Sequence, residues 1–183
     1  NFMRAAEENN VKRIIYLGGL GDVTTKLSEH LYSRIQVAEE LKKGTVPVTV
    51  LRAAIIIGSG SASYEIIKNL VKKIPVINVP KWANTRCQPI GIRDVIKYLV
   101  GCLETPTTSG KSFDIGGKNI LTYRQMMEMF AVVMSKNRIF VSLPFSNLRF
   151  YSYIASLITP VPAPIIHSLM EGLKNEVICQ NDS

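Results

Sequence analysis

Residues 51–70, LRAAIIIGSGSASYEIIKNL, run from an apolar segment through Gly58-Ser59-Gly60 into a helical pattern, and their reading decides the fold. An apolar strand, a glycine turn and a helix are what a dinucleotide-binding turn needs. That turn requires three glycines: one for the tight bend, one for close approach of backbone to pyrophosphate, and one for packing helix against strand. Here the third position is Ser63. An acid should also end the following strand, about twenty residues on, to hold the ribose hydroxyl. The next extended segment, Pro75-Val76-Ile77-Asn78-Val79-Pro80, ends without one. The stretch is therefore a strand–loop–helix of an α/β fold, but not its pyrophosphate turn.

Working outward, extended and helical apolar periods alternate. Upstream, RIIYL (residues 13–17) is a short continuous apolar strand stopped by Gly18-Gly19-Leu20-Gly21. Residues 29–43 carry Leu31, Ile35, Ala38 and Leu41 at helical spacing, and Lys42-Lys43-Gly44 forms a helix stop. Residues 48–57 read as the next buried strand. Downstream the pattern predicts a helix over 62–73, a strand over 76–79, a helix over 92–104 and a strand over 112–115 closed by Gly116-Gly117. A helix capped by Thr122 then runs to about residue 135. Strand–helix alternation predicts a mostly parallel sheet. The pattern opens on a helix tail (Phe2, Ala5, Ala6, Val11), and no phosphate-binding βαβ half precedes Arg13. The expected fold is thus an incomplete Rossmann-like α/β domain: the later β/α units over residues 1–137, with substrate-side insertions. A strand over 139–143 then leads into an apolar, proline-punctuated helical extension, residues 138–183.

Bulk properties narrow the function classes. A chain of 183 residues with 46% apolar content can build a core of its own. The most apolar window, residues 151–169, is cut by Pro160, Pro162 and Pro164, which argues against a membrane span but leaves a surface or partner contact open. Cys87, Cys102 and Cys179 are widely spaced, and with only two histidines they predict neither a disulfide framework nor a metal site. A reducing, cytoplasmic setting is the expectation. The net charge of +8 is spread without a basic run longer than two residues, which argues against nucleic acid; phosphate-bearing ligands or an acidic missing segment explain the excess as well.

Four segments together carry a resemblance: VKRIIYLGGLGD, LSEHLYSRIQVAEELKK, VPVTVLRAAIIIGSGSAS and QPIGIRDVIKYLVGCLE. In order and spacing they resemble the later half of atypical or extended short-chain dehydrogenase/reductases, more narrowly the NAD(P)H-binding, NmrA-like proteins often labelled nucleoside-diphosphate-sugar epimerases. SFDIGG and LTYRQMMEMF extend the likeness to about residue 135. The resemblance implies that the coenzyme's glycine-rich turn belongs to an N-terminal half of the same protein. It also implies that Gly18, Gly19, Arg34, Arg52, Ala53 and Ala54 border the NAD(P), and that this chain alone holds no coenzyme tightly. Where the family commonly has Arg-Pro, this chain has Arg52-Ala53.

Catalysis in the family uses a Tyr, a Lys four residues later on the same helix face, and a Ser at the preceding strand end, so that the cation lowers the phenol's pKa. Here His30 and Arg34 occupy the first two positions, and Leu17-Gly18-Gly19 offers no hydroxyl. Tyr32 lies about 200° round the helix from the phenol position and does not replace it. His30 can move a proton near neutral pH and Arg34 can bind ribose or phosphate oxygens. The alternatives are a solvated helix-start histidine and a salt-bridging arginine. The resemblance further places Gly58, Ser59, Trp82, Arg86 and Gln88 on the substrate side, where a guanidinium beside an indole suits a phosphate or a flat ring. The implied activity is that of an NAD(P)-dependent oxidoreductase or a sugar-nucleotide epimerase or dehydratase. The alternative is a noncatalytic scaffold, assembly or redox-sensing protein that meets a partner or membrane surface through residues 138–183.

Overall fold

The structure, a computed structural model, describes residues 2–21, 27–142 and 147–180. In chain order its elements are α1 (Phe2–Glu8), β1 (Ile14–Gly19), α2 (Glu29–Lys42), β2 (Val48–Ala53), β3 (Ile56–Ile57), α3 (Ala62–Lys73), β4 (Val76–Asn78), β5 (Arg86–Cys87), β6 (Ile90–Gly91), α4 (Ile92–Glu104), β7 (Ser112–Ile115), β8 (Leu121–Thr122), α5 (Tyr123–Val133), β9 (Ile139–Val141), α6 (Leu148–Ile158) and α7 (Ala163–Gly172). Short 3-10 turns occupy Lys81–Asn84 and Pro106–Thr108.

The α/β expectation holds. The principal sheet has strand order β1-β2-β7, all parallel. β2 is central and buried on both faces, which explains its mostly apolar sequence, VTVLRA. Ala6, Ala38, Val46, Val48 and Val50 pack together around it. Leu51, Ala53, Ile90, Val95, Cys102 and Ile115 form a second cluster, anchored by α4. Local signals start the helices, and the cap predicted at Thr122 is present. Ser28 caps α2 by accepting from the Leu31 amide, and Thr122 and Gln125 form a reciprocal capping box on α5.

The predicted strand over 48–57 divides. β2 stays in the main sheet, whereas β3 crosses to pair with β6, Ile56 opposite Ile90. One straight strand cannot serve both pairings, so the chain steps aside at Ala54-Ile55. Gly58 follows because a Cβ there would lie 2.7 Å from the Ile92 Cβ, and Gly60 takes φ +84° to turn into α3.

The extension over 138–183 folds back on the domain. β9 pairs with β4, and Arg138 donates to the carbonyls of Val71 (2.6 Å) and Lys72 (2.9 Å) at the end of α3. Leu143, the last residue of the predicted strand, lies outside the described residues. α6 and α7 close over α3 through Ile66, Ala155, Val161, Ile166 and Met170. Burial of each large side chain in this cluster is worth about 1.5–3 kcal/mol. The final segment crosses β5, with the Val177 amide donating to Arg86 and the Gln88 amide donating to Val177.

Candidate functional site

The carboxyl ends of β1 and β2 bring the smallest side chains of the sheet side by side. Gly18 is in register with Arg52, and Gly19 with Ala53, whose carbonyl accepts from the Leu20 amide at 2.8 Å. Ligands of open parallel sheets bind at such strand ends. Gly18, Gly19, Ala53 and Ala54 make a low floor there. A Cβ at Gly19 would lie 3.2 Å from the Cδ of Arg34 and 3.4 Å from Leu31, so the stem of Arg34 crosses Gly19. Arg34 is exposed and forms no ion pair among the described residues. Its guanidinium is thereby free to meet a phosphate or ribose.

Arg52 has a different setting. Its Nε lies 2.6 Å from Oδ1 of Asp114 on the adjacent β7, where the Asp114 side chain is 1% exposed. The two meet as a close ion pair without the alignment of a hydrogen bond. Asp114 also accepts from the Gln180 amide at 3.0 Å. Arg52 thus ties β2 to β7 and to the C-terminal segment.

His30 sits one helical turn before Arg34, half-buried at the start of α2. Burial, and secondarily the charge of Arg34, hold its pKa below the ordinary histidine value. The neutral imidazole is thereby favoured. Tyr16, whose hydroxyl donates to the Arg34 carbonyl at 3.3 Å, is another phenol near α2. The loop over 22–26 lies outside the described residues.

The substrate-side residues separate. Gly58 packs on Ile92. Arg86 is in a two-point ion pair with Glu176, Nε to Oε1 at 2.7 Å and Nη2 to Oε2 at 3.1 Å. That contact raises the guanidinium's pKa and lowers that of Glu176. Gln88 donates to the Gly117 carbonyl at 2.8 Å and accepts from the Cys179 amide at 3.0 Å, so it fastens the C-terminal segment. Gly58, Ser59, Arg86 and Gln88 do not line the cavity described next; Trp82 does.

That cavity, about 500 Å3, lies beyond the strand-end floor, between α3, α5, α6 and α7. His30, Leu31 and Ala54 stand at its junction with the floor. Ile66, Ile67 and Leu70 of α3, Met127 of α5 and Leu169 of α7 supply much of its wall. The sequence signal for it was the apolar face of α3, which reads equally as core. Its polar lining comprises His30, Ser63, Asn78, Trp82, Tyr123 and Tyr151, and no Lys, Arg, Asp or Glu borders it among the described residues. Trp82 meets Tyr151 edge-on at 5.7 Å, and Asn78 donates to the Tyr151 hydroxyl. Desolvation pushes the Tyr123 phenol far above its ordinary range, which keeps it protonated.

No family model matches the chain. It is 23% identical over 171 residues to the protein from Arabidopsis thaliana named NADH dehydrogenase (ubiquinone) 1 alpha subcomplex subunit 9, mitochondrial. That likeness covers 90% of this chain and 42% of the relative. The Dictyostelium discoideum protein of the same name is 25% identical over 122 residues, covering 66% of this chain and 33% of its own length. The chain therefore spans less than half the length of these curated relatives. Among solved structures, a nucleoside-diphosphate-sugar epimerase from Staphylococcus aureus superposes with TM-score 0.76 at 13% identity, over all of this chain and 61% of that one. The Citrobacter sp. triphenylmethane reductase complexed with NADP(H) gives 0.70 at 14% identity, over 99% and 61%. An NADPH-dependent quinone oxidoreductase from Escherichia coli complexed with NADPH gives 0.71 at 14% identity, over 94% and 57%. As the sequence resemblance implied, the chain has the Rossmann-like fold of NAD(P)-binding epimerase- and reductase-like proteins.

Proposed function

We propose that this chain forms the nicotinamide-side and ligand-side portion of a subunit that holds NAD(P)H as a fixed ligand and does not turn it over. The observation that carries this reading is the pair on α2. Where the resemblance requires a phenol and an ammonium, the chain presents an imidazole held toward its neutral form at His30 and, at Arg34, a guanidinium that forms no ion pair among the described residues. Arg34 retains the charge needed to bind the coenzyme, while the neutral form favoured at His30 lacks an acidic proton. Gly18, Gly19, Ala53 and Ala54 would form the floor, and Arg34 would meet ribose or phosphate oxygens. When bound, the coenzyme supplies a hydride. These residues would position it and shield it from water, and none would deliver the accompanying proton. Arg52, committed to Asp114, would act through the sheet rather than on the coenzyme.

The curated relatives' name as subunits of an NADH dehydrogenase supports a place in a larger assembly for this chain too. Phe150, Tyr153 and Leu157 repeat at helical spacing along α6 and are 47%, 63% and 66% exposed, a stripe suited to a protein partner. No described helix is long and apolar enough to cross a membrane.

Calorimetric titration of NADPH into the complete protein tests the coenzyme part. Arg34→Ala removes a charge-assisted contact and should weaken binding about 10- to 100-fold. Equal affinity for both proteins would rule out the assigned role of Arg34.

A second reading, an NAD(P)H-dependent reductase of an apolar substrate, is favoured by the contact of the cavity with the strand-end floor at Ala54. It predicts coenzyme oxidation by hydrophobic acceptors that sugar nucleotides do not elicit.

A further inference from the structure

The cavity between α3, α5, α6 and α7 has features that core packing alone leaves unexplained. Its volume of about 500 Å3 is within the range of small-molecule sites, roughly 300–1,000 Å3. Packed interiors hold few voids larger than a water molecule, and a mostly apolar space of this size has room for an apolar guest. The walls are branched aliphatic and methionine side chains, Ile66, Ile67, Leu70, Met127 and Met170 among them. An ionised ligand entering it would lose its hydration without gaining a counter-charge.

One donor in this wall is unused. Trp82 Nε1 is buried and has no hydrogen-bond partner among the described residues. A buried N–H without an acceptor costs about 1–3 kcal/mol. Trp82 lines the cavity, and its ring is held by Tyr151, itself hydrogen-bonded to Asn78. The indole ring is therefore held in place at the edge of a mostly apolar space, with its donor unspent among the described residues.

We propose that this cavity binds an uncharged hydrophobic molecule, a hydrocarbon chain or ring system bearing one carbonyl-type oxygen, and that Trp82 Nε1 donates to that oxygen. The site discriminates by charge: a neutral ester is admitted and the corresponding carboxylate is excluded. Of the floor residues Gly18, Gly19, Ala53 and Ala54, only Ala54 contributes to the wall, so binding does not require the dinucleotide. It narrows the ligand class away from sugar nucleotides and other phosphate-bearing molecules, for which the cavity has no cation among the described residues.

The test uses the purified full chain and Nile red, a neutral dye carrying a carbonyl, with methyl laurate and laurate as competitors sharing one acyl chain. Saturable dye fluorescence is expected, displaced by methyl laurate at concentrations at least about tenfold lower than by laurate. Trp82→Phe keeps an aromatic ring and removes the donor, and should weaken methyl laurate about three- to tenfold. Ser63→Phe projects a ring from α3 into the space and should abolish dye uptake, with the thermal transition showing that the variant is folded. Absence of saturable uptake, equal potency of ester and carboxylate, or a Trp82→Phe protein with wild-type affinity would each overturn the assignment. If Ser63→Phe fails to fold, the Trp82→Phe ratio and the ester-to-acid ratio still decide it.

Discussion

Removing Arg52 separates a structural role from a coenzyme role at a position where family likeness and geometry disagree. In Arg52→Met the Asp114 carboxylate keeps its Gln180 amide donor but loses the guanidinium 2.6 Å away. Leaving a fully buried charge without its partner costs roughly 3–5 kcal/mol. Asp114 is 1% exposed, but the Arg52 side chain is 32% exposed, so water moderates part of the loss. A discounted cost of about 2–3 kcal/mol follows. At about 2–4 °C per kcal/mol for a domain of this size, Tm should fall by roughly 4–12 °C. Urea denaturation followed by circular dichroism gives the free energy directly. Adding Asp114→Asn removes the stranded charge, so the double variant should recover about 1–2 kcal/mol relative to additivity. A loss below about 0.5 kcal/mol, or strictly additive effects, would refute the ion-pair reasoning and return Arg52 to the coenzyme.

Other positions give sharper single outcomes. Gly58→Ala forces a Cβ to within 2.7 Å of the Ile92 Cβ and should cost about 1–3 kcal/mol in denaturant, whatever the ligand. Thr122→Ala removes the cap of α5 and should cost about 1 kcal/mol, with Thr122→Ser nearly neutral. His30 has a depressed folded-state pKa, so protonation is easier in the unfolded chain. Stability should therefore fall as pH drops below the ordinary value of 6.5, and the loss should be complete below the folded pKa. His30→Gln should flatten that part of the Tm–pH curve, and an NMR titration should place the His30 midpoint under 6.5. Burial pushes the Cys87 thiol up to about 12, and Cys102 is also buried, so alkylation of both should wait for unfolding.

The regular elements were legible because local chemistry and long-range packing agree on them. The helix over 92–104 and the strand over 112–115 appear within the predicted limits, since apolar period and flanking breakers coincide there. The paired fragments β5, β6 and β8 were not legible. Each is two residues long, and only tertiary partners define it. The division of residues 48–57 was hidden for the same reason: a buried apolar run does not record which neighbour it pairs with. At the site, the placement of His30 and Arg34 one turn apart on α2 was readable because a helix fixes spacing. The partners of Arg52, Arg86 and Gln88 were not, because Asp114, Glu176 and the Cys179 amide are remote in sequence. The cavity was unreadable on principle, since the residues that wall it carry the same apolar signal as residues that fill a core.

The most direct experiment on the coenzyme reading follows heat and reduced-nicotinamide absorbance in one sample of the complete protein with stoichiometric NADPH. Saturable binding with an absorbance that stays constant under air, and after addition of hydrophobic or sugar-nucleotide acceptors, is the predicted result. Acceptor-dependent loss of the reduced signal that disappears in His30→Ala would contradict it, as would the absence of any binding heat.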